Sequence, residues 1–384
     1  MPKLAKKKVV KKSPFWKGPE VDGVTQSLIS DYLVCKERFR IKTIEGLAPA
    51  EQFNHRIEYG NMWHLCEENY LASGNLYWES YLLGYAKGLC KKFPTQQEQI
   101  EKWFQVCKIQ FPIYIQYWKK KIKKDVEIPI EQEENFKVLY ELPSGRHVNL
   151  RGKRDAVNLI GKGKQAGLYL QENKAKGDIK EDQIGRQLSF DLQTMVYLIA
   201  LQEELDNNVF AGTEAEEKKI KGVIYNVIRR PLSGGKGTIR PHKATKTKAA
   251  ETLTAYYERL RRIIMDEENI DSYFMRWKVT ITQSDIEKFE VHTLIPILEN
   301  LLDDYEWWSY CYDSRIDNGS DDWVYNFTER EAKFPHHQNR HYRLPFGIWN
   351  SLVEGGYHEI DEYLLSGSTV GLERPNTLFP ELEE

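Results

Sequence analysis

The fold turns on residues 147–174, HVNLRGKRDAVNLIGKGKQAGLYLQENK. Two apolar runs of strand length lie in it, Asp155–Ile160 (DAVNLI) and Leu168–Glu172 (LYLQE), separated by the glycine-rich GKGKQAG, which reads as a turn. Upstream, Phe136–Leu142, a Pro-Ser-Gly turn and His147–Arg151 have the pattern of a hairpin. Downstream come a helix of about twenty residues, 184–205, and a buried-looking strand, GVIYNVI at 222–228. The middle of the chain is therefore β-β-β-β-α-β, an α/β core with a mixed sheet. Helical spacing predicts further helices over about 25–39, capped by Thr25 or Ser27, and over 58–72, 76–92, 96–122, 249–268 and 284–304.

The same stretch carries the chemistry. Asp155 follows Gly152 at the start of one strand, and Glu172 and Lys174 end the next. Alternation puts Glu172 and Lys174 on one face, and hairpin pairing brings Asp155 opposite them. Two carboxylates and a lysine at one sheet edge suit metal-assisted phosphodiester hydrolysis: hard oxygen ligands for Mg²⁺ or Mn²⁺, and a cation to orient water or neutralise a phosphoryl oxyanion. A salt bridge between charged strand ends is the plainer reading of these three residues alone. His64 lies in an otherwise apolar helical stretch with Glu68 one turn later, and Gln193 and Tyr197 share a helix face by their i, i+4 spacing. Each has an ordinary structural reading in isolation.

Composition bounds the rest. The 384 residues are 41% hydrophobic and 29% charged, enough apolar material for a substantial core and too much for general disorder. The longest apolar run, Met195–Leu201, is far below the ~20 residues of a membrane helix. No signal peptide is visible, and the five cysteines form no CxxC pair, so a cytoplasmic protein with reduced thiols is expected. A net charge of −2 argues, taken as a total, against a nucleic-acid partner. Its distribution argues otherwise, because 19 of the 55 Lys and Arg fall in three acid-free segments, 1–17, 119–124 and 229–248.

In order and spacing, the elements resemble the PD-(D/E)XK nuclease superfamily, and within it the RecB-like exonuclease group. The resemblance runs from TQSLISDYLVCKERF (25–39), with Lys36 where that group usually has proline, through Gly60-x-x-x-His64, Gly152-x-x-Asp155, Glu172-x-Lys174 and Gln193-x-x-x-Tyr197. GVIYNVIRRPL, after them, looks like phage-encoded members. The resemblance implies a restriction-endonuclease-like core over 126–232; around it the sequence reads as a disordered basic tail (1–20), a helical region (21–125) carrying the His64 element, a flexible basic loop (233–248) and a helical or irregular C-terminal region (249–384) that completes the nuclease domain.

It further implies a Mg²⁺- or Mn²⁺-dependent deoxyribonuclease. Asp155, Glu172 and the backbone carbonyl of Asn173 would be metal ligands, and His64 an extra ligand or phosphate contact. Lys174 would act on the nucleophilic water, and Gln193 and Tyr197 would position DNA or the lysine. Lys176, Lys180, Arg186, Arg229, Arg230, Lys236 and Arg240 would grip the DNA backbone. Several relatives hold an iron–sulfur cluster with a cysteine like Cys35 and three more near the C-terminus. Only Cys311 stands in that region here, so no such cluster is expected, and the irregular spacing of His336, His337 and His341 does not favour zinc in its place. The expected partner is end-bearing DNA in recombination, repair or replication, with a single-strand-binding or annealing protein as a further candidate, no membrane, and the host cytoplasm as the location if phage-encoded. A structure-specific or restriction-type endonuclease, and a non-catalytic DNA-binding recombination protein, remain the alternatives.

Overall fold

The structure is a computed structural model that describes residues 15–49, 51–73, 77–122, 127–161, 163–177, 184–188, 191–232 and 238–318, with isolated positions between 356 and 382. The chain forms two compact units, one of residues 1–51, 136–152 and 288–384, the other of 52–135 and 153–287. Residues 1–14 of the N-terminal tail and His336, His337 and His341 lie outside the described residues, while Trp16, within the expected tail, is fully buried.

In the first unit, Thr25 ends a short strand, β1 (Val24–Thr25), and caps α1 (Gln26–Val34) by accepting from the Leu28 N–H at 3.3 Å. α2 (Lys36–Phe39) follows, then a wide π-type turn over 40–44 and a two-residue strand, β2 (Ala48–Pro49). Trp16, Tyr32 and Phe39 meet Tyr305 and Trp308 edge-on or tilted. Tyr32 Oη donates to Asp304 at 2.7 Å and Lys36 pairs with the same carboxylate at 2.7 Å, so the position where proline is usual holds an ion-pair cation.

The second unit joins a helical cluster to a sheet. α3 (His55–Ser73), α4 (Trp78–Lys92) and α5 (Gln97–Lys121) enclose an aromatic core that includes Trp63, Trp103, Phe111 and Tyr114. The strands are β3 (Glu127–Glu141), β4 (His147–Ile160), β5 (Gly167–Lys176), β6 (Ile220–Arg229) and β7 (Phe274–Thr280), with β3 and β4 running on into the first unit. β4 and β5 are antiparallel with Ala156 opposite Gln171, β5 and β6 are parallel with Glu172 opposite Tyr225, and β6 and β7 are antiparallel with Asn226 opposite Arg276. The parallel pair is linked through α6 (Ile184–Leu188) and α7 (Leu192–Asp206), the crossover such a pair needs. α8 (Leu253–Met265) and α9 (Ile270–Tyr273) precede β7, and α10 (Gln283–Phe289) and α11 (Ile295–Asn318) complete the described helices. A short β8 (Leu372–Glu373) pairs with β2 in the first unit. Gly222, at φ +149°, lies so close to β7 that a Cβ would stand 2.0 Å from the Val279 carbonyl. No described helix is long and apolar enough to cross a membrane.

Three of the differences from the sequence reading bear on the sheet and on the helix that carries Gln193. The two strands expected after the Pro-Ser-Gly turn, 147–151 and 155–160, are one, β4, because Arg154 takes an inward position that the apolar pattern could not signal. The helix expected over 184–205 is two, since Asp191 starts α7 afresh by accepting from the Thr194 N–H at 2.9 Å. β7 was not expected: FMRWKVT is only half-buried and offers no clean alternation.

Arg154 is 2% exposed and clamped between Glu131 (2.8 Å) and Glu204. Arg154→Ala strands two carboxylates, so urea denaturation should show a loss of about 3 kcal/mol. A loss below about 1 kcal/mol would mean that the clamp is not structural.

Candidate active site

The hairpin register brings Asp155 beside Glu172, and the Asn173 N–H donates to Asp155 Oδ2 at 2.5 Å. Glu172 and Lys174 share a face, two residues apart, and their carboxylate and ammonium form an ion pair. Lys174 Nζ also donates to Gln193 Oε1 at 3.0 Å, reaching the first turn of α7. Glu172 is 1% exposed, and beyond that ion pair neither oxygen accepts a hydrogen bond among the described residues. Burial, and then the nearby Asp155, hold its carboxyl up at about 7 although Lys174 pulls it down.

α3 presents the other half of the site. His64 Nδ1 lies 3.6 Å from Asp155 Oδ1, 3.5 Å from Glu133 Oε1 and 3.9 Å from Glu67 Oε2. Burial alone would depress this imidazole; Asp155, Glu133 and Glu67 overcome it and raise it to about 10. Glu67 accepts from Tyr114 Oη (2.9 Å) and Asn173 Nδ2 (3.1 Å), and burial with its carboxylate neighbours pushes it up to about 8 against the pull of His64. Lys153 bridges Glu68 (3.3 Å) and Glu133 (3.7 Å).

The structure thus brings together His64, Asp155, Glu172, Lys174 and Gln193 and adds Glu67 and Glu133. Tyr197 is buried one turn beyond Gln193. The helical partner of His64 within the cluster is Glu67 rather than Glu68; i+3 and i+4 lie on the same helix face, and spacing alone does not separate them. Glu133 carried no sequence signal. It has φ +51°, and the strand's inward alternation at 136, 138 and 140 is broken just after it, which turns the side chain inward as a bulge does.

A model of the PD-(D/E)XK nuclease superfamily matches residues 24–273, well over half of the chain. The chain belongs to that superfamily. No curated protein sequence matches it. Membership implies a divalent-metal-dependent nuclease and a DNA substrate, and the nuclease has the donors for such an ion. His64, Glu67 and Glu133 each offer a ligand atom within 4.8 Å of the others, with Asp155 alongside. The set is hard carboxylate oxygen with one imidazole. The raised carboxyls and the undersatisfied oxygens of Glu172 are what such a cation would relieve.

The expected DNA contacts of the nuclease are placed as follows. Lys176 is half-buried with its ammonium 5.2 Å from the Tyr225 ring centroid. Arg229 is partly buried, and Arg230 is 9% exposed and donates to the Arg56 carbonyl at 3.2 Å. Arg240 is exposed, as are Lys243, Lys246 and Lys248. Lys180, Lys236 and the side chain of Arg186 lie outside the described residues. Gly60, the glycine of the His64 element, has nothing within 4 Å of where a Cβ would stand, so packing within the described chain does not require it.

Proposed function

We propose that the protein is an exonuclease of the RecB-like kind, hydrolysing phosphodiester bonds at DNA ends with Mg²⁺ or Mn²⁺. The observation that carries this reading is the meeting of His64 on α3 with Asp155 across 3.6 Å, which adds a helical imidazole to the sheet-edge carboxylates. Asp155, Glu172 and His64 are the proposed metal ligands, with the Asn173 carbonyl, and Glu67 and Glu133 complete the acidic shell. A cation held there would stabilise charge on the scissile phosphate and lower the pKa of a bound water. Lys174, steered by Glu172 and Gln193, orients the attacking water and neutralises charge on the phosphoryl oxygens. Gln193 positions Lys174, and Tyr197 supports the face of α7 from which Gln193 projects. The exposed Arg240 and neighbouring lysines supply phosphate contacts.

The test compares linear duplex, linear single-stranded and covalently closed circular DNA in Mg²⁺ and in Mn²⁺. Linear DNA should be degraded from its ends and closed circles left intact. Equal attack on closed circles would replace the exonuclease reading with that of an endonuclease. Binding without cleavage of any substrate would favour a non-catalytic recombination protein.

A further inference from the structure

Opening onto the acid cluster, and lined in part by Glu67, Glu133 and Asp155, lies a cavity of about 270 Å³ whose aromatic and amide side chains the hydrolytic chemistry does not use. Its floor is a row of amides crossing the sheet. Asn158 donates to Gln171 at 2.7 Å, and Asn173 Oδ1 accepts from Gln171 at 3.2 Å and from Asn226 at 2.9 Å. Arg276 on β7 reaches Gln171 Oε1 at 3.3 Å. Burying polar groups in a sheet interior is costly unless they are satisfied. Here they are not all satisfied. Asn226 is 3% exposed, yet its Oδ1 has no hydrogen-bond partner among the described residues, and neither has the indole N–H of Trp118 in the wall. Trp118, Tyr114 and Tyr70 supply aromatic surface, with the Arg276 guanidinium 5.4 Å from the Trp118 ring centroid.

An unpaired acceptor, an unpaired donor and aromatic walls together fit a flat heteroaromatic ring with hydrogen-bonding groups on its edge. The volume is just under the ~300 Å³ at which small-molecule sites begin, enough for one ring system and too small for a stacked pair. An adjoining groove of about 680 Å³ shares Trp118, Arg276 and Glu127 and adds Lys121, Asp271, Trp277 and Lys278; Lys121 pairs with Asp271 and Arg276 with Glu127, so its aromatic rings are what would stack the bases of a single strand.

We propose that this cavity takes one unpaired nucleobase of the DNA strand held at the metal cluster, so that the enzyme selects single-stranded or frayed ends. The proposal rests on the reading of Asp155, Glu172 and Lys174 as the hydrolytic centre. A paired base has its edge occupied and its faces stacked, whereas an unpaired one enters at little cost.

The test uses the full chain in a cleavage-deficient Lys174→Ala background with Mn²⁺, and a short single-stranded DNA in which an abasic nucleotide is moved position by position. One position near the end should weaken binding roughly 10-fold when its base is missing. In Trp118→Ala, and in Ile122→Trp, which narrows the cavity from its rim, intact and abasic strands should bind alike. Ile122→Trp leaves the aromatic wall in place, so it serves even if the truncation disturbs the fold. Binding that tolerates an abasic nucleotide at every position overturns the proposal, as does a penalty that persists in both variants. If the wild-type chain cuts linear DNA while either result is found, only the base pocket falls. If it cuts nothing, the hydrolytic reading falls with it.

Discussion

Lys174→Ala should reduce cleavage of linear DNA by roughly 10²–10⁴ at saturating metal, the range expected when a positioned proton-handling or charge-stabilising group is removed. The ammonium is paired with Glu172 and hydrogen-bonded to Gln193 at 3.0 Å, so it points at the carboxylates rather than into solvent. Its side chain is 35% exposed, so truncation removes little packing, and at saturating metal the bound cation would take over as counter-charge to the buried Glu172. The loss should therefore appear in kcat with only a small change in melting temperature. Gln193→Ala should cost less, on the order of 10-fold to 10²-fold, because it loosens the lysine without removing it. The double variant should be no worse than Lys174→Ala alone, the signature of residues that act as a unit. Lys174→Arg should not restore activity, since a planar guanidinium does not reproduce a compact ammonium in a site shaped by Glu172 and Gln193. Retention of more than a tenth of wild-type activity in Lys174→Ala would sink the assignment of Lys174.

What the sequence made legible follows the physics of each residue. Asp155, Glu172 and Lys174 were readable because a strand has period 2 and a hairpin has one register, so position along the chain determined position in space. His64 and Gln193 were readable only through their order relative to that hairpin. Glu133 was not readable at all: a non-glycine residue at φ +51° interrupts the alternation from which inward positions are inferred. Glu67 was half readable, since a helix face does not distinguish i+3 from i+4. The amide row of Asn158, Gln171, Asn173 and Asn226 was invisible for another reason. Each amide alone reads as a polar residue in a strand, and only the pairing of β4, β5 and β6 lines them up. Net charge misled as a total, because phosphate binding depends on the local field.

The acidic cluster makes stability and activity move in opposite directions, and Glu172→Gln is the substitution that shows it. Glu172 is 1% exposed, and its carboxyl is held up at about 7 by burial and by Asp155 against the pull of Lys174. The fold therefore resists the charged form that the unfolded chain carries freely at neutral pH. Because neither oxygen accepts a hydrogen bond beyond the Lys174 ion pair, an amide of the same shape breaks no network. Lys174 keeps Gln193 as a partner. In EDTA, Glu172→Gln should thus melt at or a few degrees above wild type, each 1 kcal/mol being worth about 2–4 °C in a domain of this size class. Adding Mn²⁺ reverses the order. A cation that binds only the folded protein stabilises it by about 2.7 kcal/mol at 100 times its Kd, and it should raise the wild-type transition by several degrees. The variant, lacking one ligand charge, should gain much less, and its cleavage should fall by at least ~10³ for want of a metal-organised centre. Differential scanning calorimetry in EDTA and in Mn²⁺, on both proteins, reads all of this. A variant that melts well below wild type in EDTA, yet gains as much from Mn²⁺, would mean that Glu172 supports the fold and does not hold the metal.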